Sequence, residues 1–198
     1  MALRIGIRRE DKNRWERRTP LTPDHVRELS RKGIEFLVQS SANRVFQDEE
    51  FRAVGATVQD DLSSCRAVFG IKEMPVEAFQ PYGVYMFFSH TIKGQSYNMP
   101  MLRRILDVGA TLLDYERVTD EQGRRAIFFG NYAGTAGMFE TLYALGKRLE
   151  SEGMETVFAA VRRPLEYRSL EAAREALRDI GAEIAREGVP KSLVPFLP

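Results

Sequence analysis

Two stretches decide the fold: Ala67-Val68-Phe69-Gly70-Ile71-Lys72 and Val84-Tyr85-Met86-Phe87-Phe88-Ser89-His90. Each is an apolar run too short for a helix, and each stops at a titratable side chain. Residues 99–108 come next with helical spacing and end at Gly109. Towards the N-terminus, residues 3–7 and 34–38 repeat the strand pattern. Between them Thr22 is placed to cap a helix, Pro23 suits its first turn, and Gly33 closes it after Arg31 and Lys32. Residues 48–54 read as a short helix stopped by Gly55. Strands alternating with helices predict an α/β fold, with a mostly parallel sheet and helices on both faces.

The pattern changes at Ala110. Residues 112–118 and 125–129 are strand-like and flank Thr-Asp-Glu-Gln-Gly, which predicts a hairpin with Gly123 at positive φ. A long connecting helix is expected over about residues 132–150, with Phe139, Leu142, Tyr143, Gly146 and Leu149 on one stripe and Gly153 at its end. Residues 169–180 read as a further helix, capped by Ser169, with Glu171 in its first turn and Gly181 after it. The tail, 188–198, has three prolines and reads as extended. The expected division is 1–130 as one domain and 131–198 as the connecting helix with the lead-in to a further domain.

Composition excludes several classes. A chain of 198 residues with 43% hydrophobic and 29% charged side chains can bury one core and stay in solution, so global disorder is excluded. Lys and Arg total 29 against 28 Asp and Glu, and the net charge of +1 gives no pull towards nucleic acid or a membrane surface. No apolar run approaches the roughly 18 residues of a spanning helix. The N-terminus lacks the apolar stretch of a signal peptide, so a cytoplasmic location is expected. One cysteine, Cys65, excludes an internal disulfide, and two histidines are too few for a structural zinc site.

Four places invite chemistry. Arg8, Arg9, Lys12, Arg14, Arg17 and Arg18 crowd one loop with Glu10, Asp11 and Glu16. Guanidinium forks grip carboxylates, so the loop suits an acidic substrate; a solvated loop with local ion pairs has the same composition. Lys72 sits where a buried strand runs out, the position where ligands enter open α/β sheets, and a lysine there can serve as a base. Strands also end in lysine merely to meet solvent. His90 repeats that geometry one strand later and titrates near neutrality, which suits an acid, although a single histidine is often only structural. His25 lies inside the first helix and is taken as structural. Glu116 ends another strand, with Arg124 and Arg125 opposite it across the hairpin; the set suits an ammonium and a carboxylate, or simply a cross-strand ion pair. Gly130, Gly134 and Gly137 match neither G-x-G-x-x-G nor G-x-x-x-x-G-K-[ST], so no phosphate loop is assigned.

Six motifs occur in order: Ile-Gly-Ile-Arg-Arg-Glu-Asp-Lys (5–12), Trp-Glu-Arg-Arg-Thr-Pro-Leu-Thr-Pro (15–23), Phe-Gly-Ile-Lys-Glu-Met-Pro (69–75), Phe-Phe-Ser-His-Thr-Ile-Lys-Gly-Gln (87–95), Leu-Leu-Asp-Tyr-Glu (112–116) and Gly-Arg-Arg-Ala-Ile-Phe-Phe-Gly-Asn-Tyr-Ala-Gly (123–134). Together they resemble the N-terminal part of lysine-ketoglutarate reductase and the related saccharopine dehydrogenases, and more distantly the N-terminal domain of alanine dehydrogenase and transhydrogenase. The resemblance is dense from residue 4 to about 150 and looser near 189–195.

It implies an oxidoreductase that condenses L-lysine with 2-oxoglutarate and reduces the imine to saccharopine, or runs the reverse. Lys72 and His90 fall on its acid–base pair, Arg18 on the arginine that binds substrate carboxylate, and Glu116, Arg125 and Arg124 on further substrate-binding positions. The complete enzyme would use NADP or NAD on a nucleotide-binding domain. This chain stops at Pro198, where the first strand of that domain is expected, so the domain is expected in cis or in trans and no cofactor on this chain alone. A stand-alone small-ligand-binding or regulatory module derived from the same lobe is the alternative. The helix over 132–150 would normally bridge two lobes, so part of its stripe is expected to lack a partner within the chain and to favour a homodimer.

Overall fold

The computed structural model describes residues 3–188. Among them six strands form one all-parallel sheet: β1 Leu3–Ile7, β2 Ile34–Val38, β3 Thr57–Val58, β4 Ala67–Phe69, β5 Val84–Phe87 and β6 Thr111–Asp114. Their order is β3-β2-β1-β4-β5-β6. The helices are α1 Pro23–Ser30, α2 Asp48–Arg52, α3 Met99–Asp107, α4 Gly130–Ser151 and α5 Leu170–Glu187. The expected tail over 189–198 lies outside the described residues.

Side chains alternate across a strand, so the register assigns each helix to a face. Ile5 and Ile7 align with Phe36 and Val38 on one side and with Ala67 and Phe69 on the other. This face packs against Val26 of α1 and Phe51 of α2, both fully buried. The opposite face, through Val68, Tyr85 and Leu112, packs against Met101 and Ile105 of α3 and against Phe79. Helices therefore cover both faces, as the alternation predicts. His25 has a structural role in α1: its Nδ1 accepts the Thr22 N–H at 3.3 Å, while Thr22 Oγ1 accepts the His25 N–H.

Between β3 and β4 the crossover is a loop with no helix. It lies so close to the sheet that a Cβ on Gly6 would come within 3.1 Å of Leu62 Cδ1 and 3.2 Å of Cys65 Sγ. Burial there pushes the Cys65 thiol up to about 11, so it stays protonated at neutral pH. The same face holds a cavity of about 480 Å³ lined by Leu62, Cys65, Val68, Tyr82 and Tyr85 among others.

Two expectations need correction. The strand read over 112–118 ends at Asp114 and pairs in parallel with β5, because Tyr115–Arg117 coils into a 3-10 turn capped by Asp114. The hairpin shrinks to a tight turn with one antiparallel bridge, Thr119 to Arg125, and Gly123 at φ 74°. Residues 125–129 form no strand. The second correction concerns α4. Its stripe is covered within its own part of the chain, by the 3-10 turn Val157–Ala160 and by α5, with Phe139, Phe158, Val161, Ala173 and Ile180 buried together. Gly146 permits this, since a Cβ there would meet the Phe158 carbonyl oxygen at 2.4 Å. The stripe is thus no argument for a dimer.

The chain divides into two compact units, Met1–Phe128 and Phe129–Pro198. The sheet belongs to the first; α4, α5 and the core around Phe139 belong to the second. Among the described residues no helix is long and apolar enough to cross a membrane.

Candidate functional site

Because the strands are parallel, the carboxyl ends of β1, β4, β5 and β6 share one rim of the first unit. Arg8 follows β1, Lys72 lies beyond β4, His90 beyond β5 and Glu116 beyond β6. The ladder continues past the strands: the Gly70 N–H donates to the Met86 carbonyl and the Phe88 N–H to the Ile71 carbonyl, both at 3.0 Å. Lys72 and His90 leave the sheet at neighbouring points.

At the β1–β4 corner the charged loop is folded onto the rim. Arg8 is buried and paired with Asp11. The Glu10 carboxylate accepts the Ile71 N–H at 2.7 Å and the Lys72 N–H at 2.9 Å. Glu16, also buried, receives Arg18 in a fork: Nε donates to Oε1 at 2.7 Å and Nη2 to Oε2 at 2.6 Å. Lys12 Nζ stands 3.5 Å from Glu73 Oε1. The two neighbouring glutamates respond in opposite directions. Burial raises the Glu10 carboxyl above the ordinary 4.5 despite its two amide bonds. Burial also opposes ionisation of Glu16, but the hydrogen bonds and charge of Arg18 outweigh it, helped by the charge of Lys72, and hold that carboxyl below 4.5. Burial acts on both carboxyls, which a fully solvated loop would not show.

At the β5–β6 corner one carboxylate joins two strand ends. Asp114 accepts the Ser89 hydroxyl on one oxygen and the Glu116 N–H, at 2.8 Å, on the other. Ser89 is fully buried, its carbonyl accepts from Asn98 Nδ2 at 3.2 Å, and its hydroxyl lies 2.8 Å from that of Thr91. This bracing holds His90 in the left-handed region at φ 53°, uncommon for a residue other than glycine. The imidazole stacks over Phe88 and stands 3.3 Å from Glu116. Lys93 reaches the other Glu116 oxygen at 3.4 Å and Arg125 stands 3.8 Å from it.

Among the described residues three buried side-chain polar atoms lack a hydrogen-bond partner: Arg8 Nη1, His90 Nδ1 and Glu116 Oε2. All three belong to residues at this rim. The last two face each other at 3.3 Å without hydrogen-bond alignment. Such atoms are costly to bury and cluster where a protein meets a ligand or moves a proton.

Arg18, Lys72, His90, Glu116 and Arg125 are therefore all found on rim loops. Arg124 is not part of the cluster around Glu116: its Nε donates to Asp120 at 2.8 Å, because the turn brings positions 120 and 124 together. Reading the residues alone missed Glu10, Ser89, Asp114 and Lys93. Lys93 had a signal, since three residues after His90 in a 3-10 turn returns a side chain to the same side.

Residues 6–136 match the family model described as alanine dehydrogenase/PNT, N-terminal domain. The chain belongs to this family. It is 42% identical over 199 residues to alpha-aminoadipic semialdehyde synthase of Arabidopsis thaliana, covering 98% of this chain and 19% of that protein. It is 40% identical over 192 residues to the mitochondrial enzyme of that name from Bos taurus, covering 97% and 21%. Saccharopine dehydrogenase [NAD(+), L-lysine-forming] of Yarrowia lipolytica is 36% identical over 140 residues, 68% of this chain and 38% of that one. The chain spans about a fifth of the length of the first two relatives. Among solved structures, an L-alanine dehydrogenase superposes with a TM-score of 0.64 at 21% identity, covering 90% of this chain and 53% of its own, which shows the shared fold.

This alanine dehydrogenase/PNT N-terminal domain has the strand order 3-2-1-4-5-6, the order found in dinucleotide-binding sheets. The loop after β1 does not carry the glycine-rich fingerprint of such sheets. Residues 8–12, directly after β1, hold no glycine, α1 begins only at Pro23, and the two amides at the end of β4 already carry Glu10.

Proposed function

We propose that this chain is the substrate-binding and acid–base lobe of an oxidoreductase that condenses L-lysine with 2-oxoglutarate and reduces the imine to saccharopine, or runs the reverse. The observation that carries this reading is the rim: a lysine and a histidine leave adjacent parallel strands, beside arginines and two buried carboxylates.

In this reading Arg18 grips a carboxylate of the oxoacid, with its fork held in plane by Glu16. Arg125 and Glu116 bind the remaining charged groups, Glu116 taking an ammonium. Lys72 accepts a proton from the ammonium of the incoming lysine, freeing its lone pair to attack the keto carbon. The carbinolamine then loses its hydroxyl as water when His90 donates a proton to it, and the C–N bond becomes the imine. The hydride donor, a nicotinamide dinucleotide, belongs to a nucleotide-binding domain in cis or in trans, and no step on this rim is assigned to it. Calorimetric titration with 2-oxoglutarate and with saccharopine tests the reading. Weak binding that Arg18→Ala abolishes is expected; no heat from either compound at millimolar concentration contradicts it.

A further inference from the structure

A sheet in dinucleotide order leaves backbone N–H groups at the switch point for an anion from outside. In this chain the free amides at the switch point lie after β4, and the anion they hold comes from the chain itself. One oxygen of Glu10 takes the Ile71 amide at 2.7 Å and the other takes the Lys72 amide at 2.9 Å, across 61 and 62 positions of sequence. The preceding peptide lies against the same carboxylate, since a Cβ on Gly70 would stand 3.4 Å from Glu10 Oε1 and 2.8 Å from Met74 Cε. The Ile71 carbonyl in turn receives the Phe88 N–H at 3.0 Å, which ties this segment to the β5 end that leads to His90. Both backbone groups of Ile71 and the amide of Lys72 are thus fixed, one side by a carboxylate and the other by the sheet.

We infer that Glu10 is a positioning residue: it serves as the chain's own anion at the β1–β4 switch point and, by clamping the Ile71 and Lys72 amides, sets where the Lys72 side chain enters the rim. The functional half of this statement rests on the acid–base role proposed for Lys72; the clamp itself does not. The amides hold this anion against an environment that on balance opposes its charge. Burial, with the charge of Glu16, opposes its ionisation and leaves the carboxyl above 4.5, while the Ile71 and Lys72 amides, Arg8 and Arg18 favour the charged form.

The test uses the whole chain with Glu10→Gln and Glu10→Ala, read by the backbone amide resonances of Ile71 and Lys72. In the wild type both resonances should move together as the pH crosses the Glu10 titration, above 4.5. That movement should vanish in Glu10→Gln, which keeps the shape. In Glu10→Ala, added acetate should shift both amides back in a saturable way, a rescue that lost packing alone would not produce. A second readout is protection of Lys72 from amine-directed labelling by 2-oxoglutarate, measured on the peptide by mass spectrometry. Misplacement of the side chain should weaken that protection at least about tenfold in Glu10→Ala and much less in Glu10→Gln. Amide shifts indifferent to pH in the wild type and to acetate in Glu10→Ala would overturn the clamp, and undiminished protection in Glu10→Ala would overturn the positioning role. Should 2-oxoglutarate fail to protect Lys72 in the wild type, the proposed function fails, and the clamp is decided by the amides alone. If Glu10→Ala does not fold, the loss of pH response and the smaller loss of protection in Glu10→Gln decide.

Discussion

The two corners of the rim are built alike and finished differently. At each, a single carboxylate uses both oxygens on groups at strand ends: Glu10 on the Ile71 and Lys72 amides, Asp114 on the Ser89 hydroxyl and the Glu116 amide. The β1–β4 corner is then largely closed, with Glu16 matched to Arg18 and Lys12 beside Glu73, and only Arg8 Nη1 left over. The β5–β6 corner leaves two facing atoms, His90 Nδ1 and Glu116 Oε2, without a hydrogen bond, although Lys93 and Arg125 stand by the other Glu116 oxygen. Hydrogen-bonded groups hold a shape, while buried polar atoms without a hydrogen bond keep capacity for a ligand or a proton. Under the proposed function the first corner serves as a binding floor and the second as the place where a proton is moved.

Breaking the brace should have the largest effect. Asp114→Ala removes the acceptor of two partly buried bonds to a charged group and should cost about 3 kcal/mol in denaturant unfolding of the first unit. Gly146→Ala is the control in the second unit: with the Phe158 carbonyl 2.4 Å from the new Cβ, it should cost about 2 kcal/mol there. The amide resonances of the rim should stay in place. Glu16→Gln should cost about 1 kcal/mol at neutral pH, since Arg18 is only partly buried. Its pH dependence has a definite sign. The folded Glu16 carboxyl lies below 4.5, so its contribution is complete above pH 4.5 and is lost as the pH falls through the lowered value. The melting difference between wild type and Glu16→Gln should therefore shrink on acidification. Glu10, raised by burial, works the other way: its ionisation weakens the fold as the pH rises from 4.5 through its folded value. Arg125→Ala should change stability by less than about 0.5 kcal/mol, because the residue is exposed and 3.8 Å from Glu116. Any effect it has should appear in ligand binding.

Much of the sheet was legible because its central strands are buried on both faces and read as unbroken apolar runs ending in polar groups. That signal placed Lys72 and His90 on one rim. Strand β3, at two residues, is too short to carry a period. Strand β6 was overread because Tyr115 and Val118 continue an apolar pattern, while the cap at Asp114 that ends the strand is a local hydrogen bond. The charged loop carries the weakest signal. Arg8 and Glu16 look solvated in sequence and are buried in the fold, and nothing near Glu10 announces that its partners lie 61 and 62 residues away. Arg124 and Arg125 could not be told apart by type; the turn sends one to Asp120 and the other towards Glu116.

Under the proposed function an oxoacid binds on this rim and not in the cavity under the crossover loop. Mapping amide chemical shifts during a 2-oxoglutarate titration tests it directly. The predicted result is a cluster of shifts in the loop holding Glu10, Glu16 and Arg18 and at Lys72, His90 and Glu116. Shifts centred on Gly6, Leu62, Cys65 and Tyr82, or no shifts in the first unit, would contradict it.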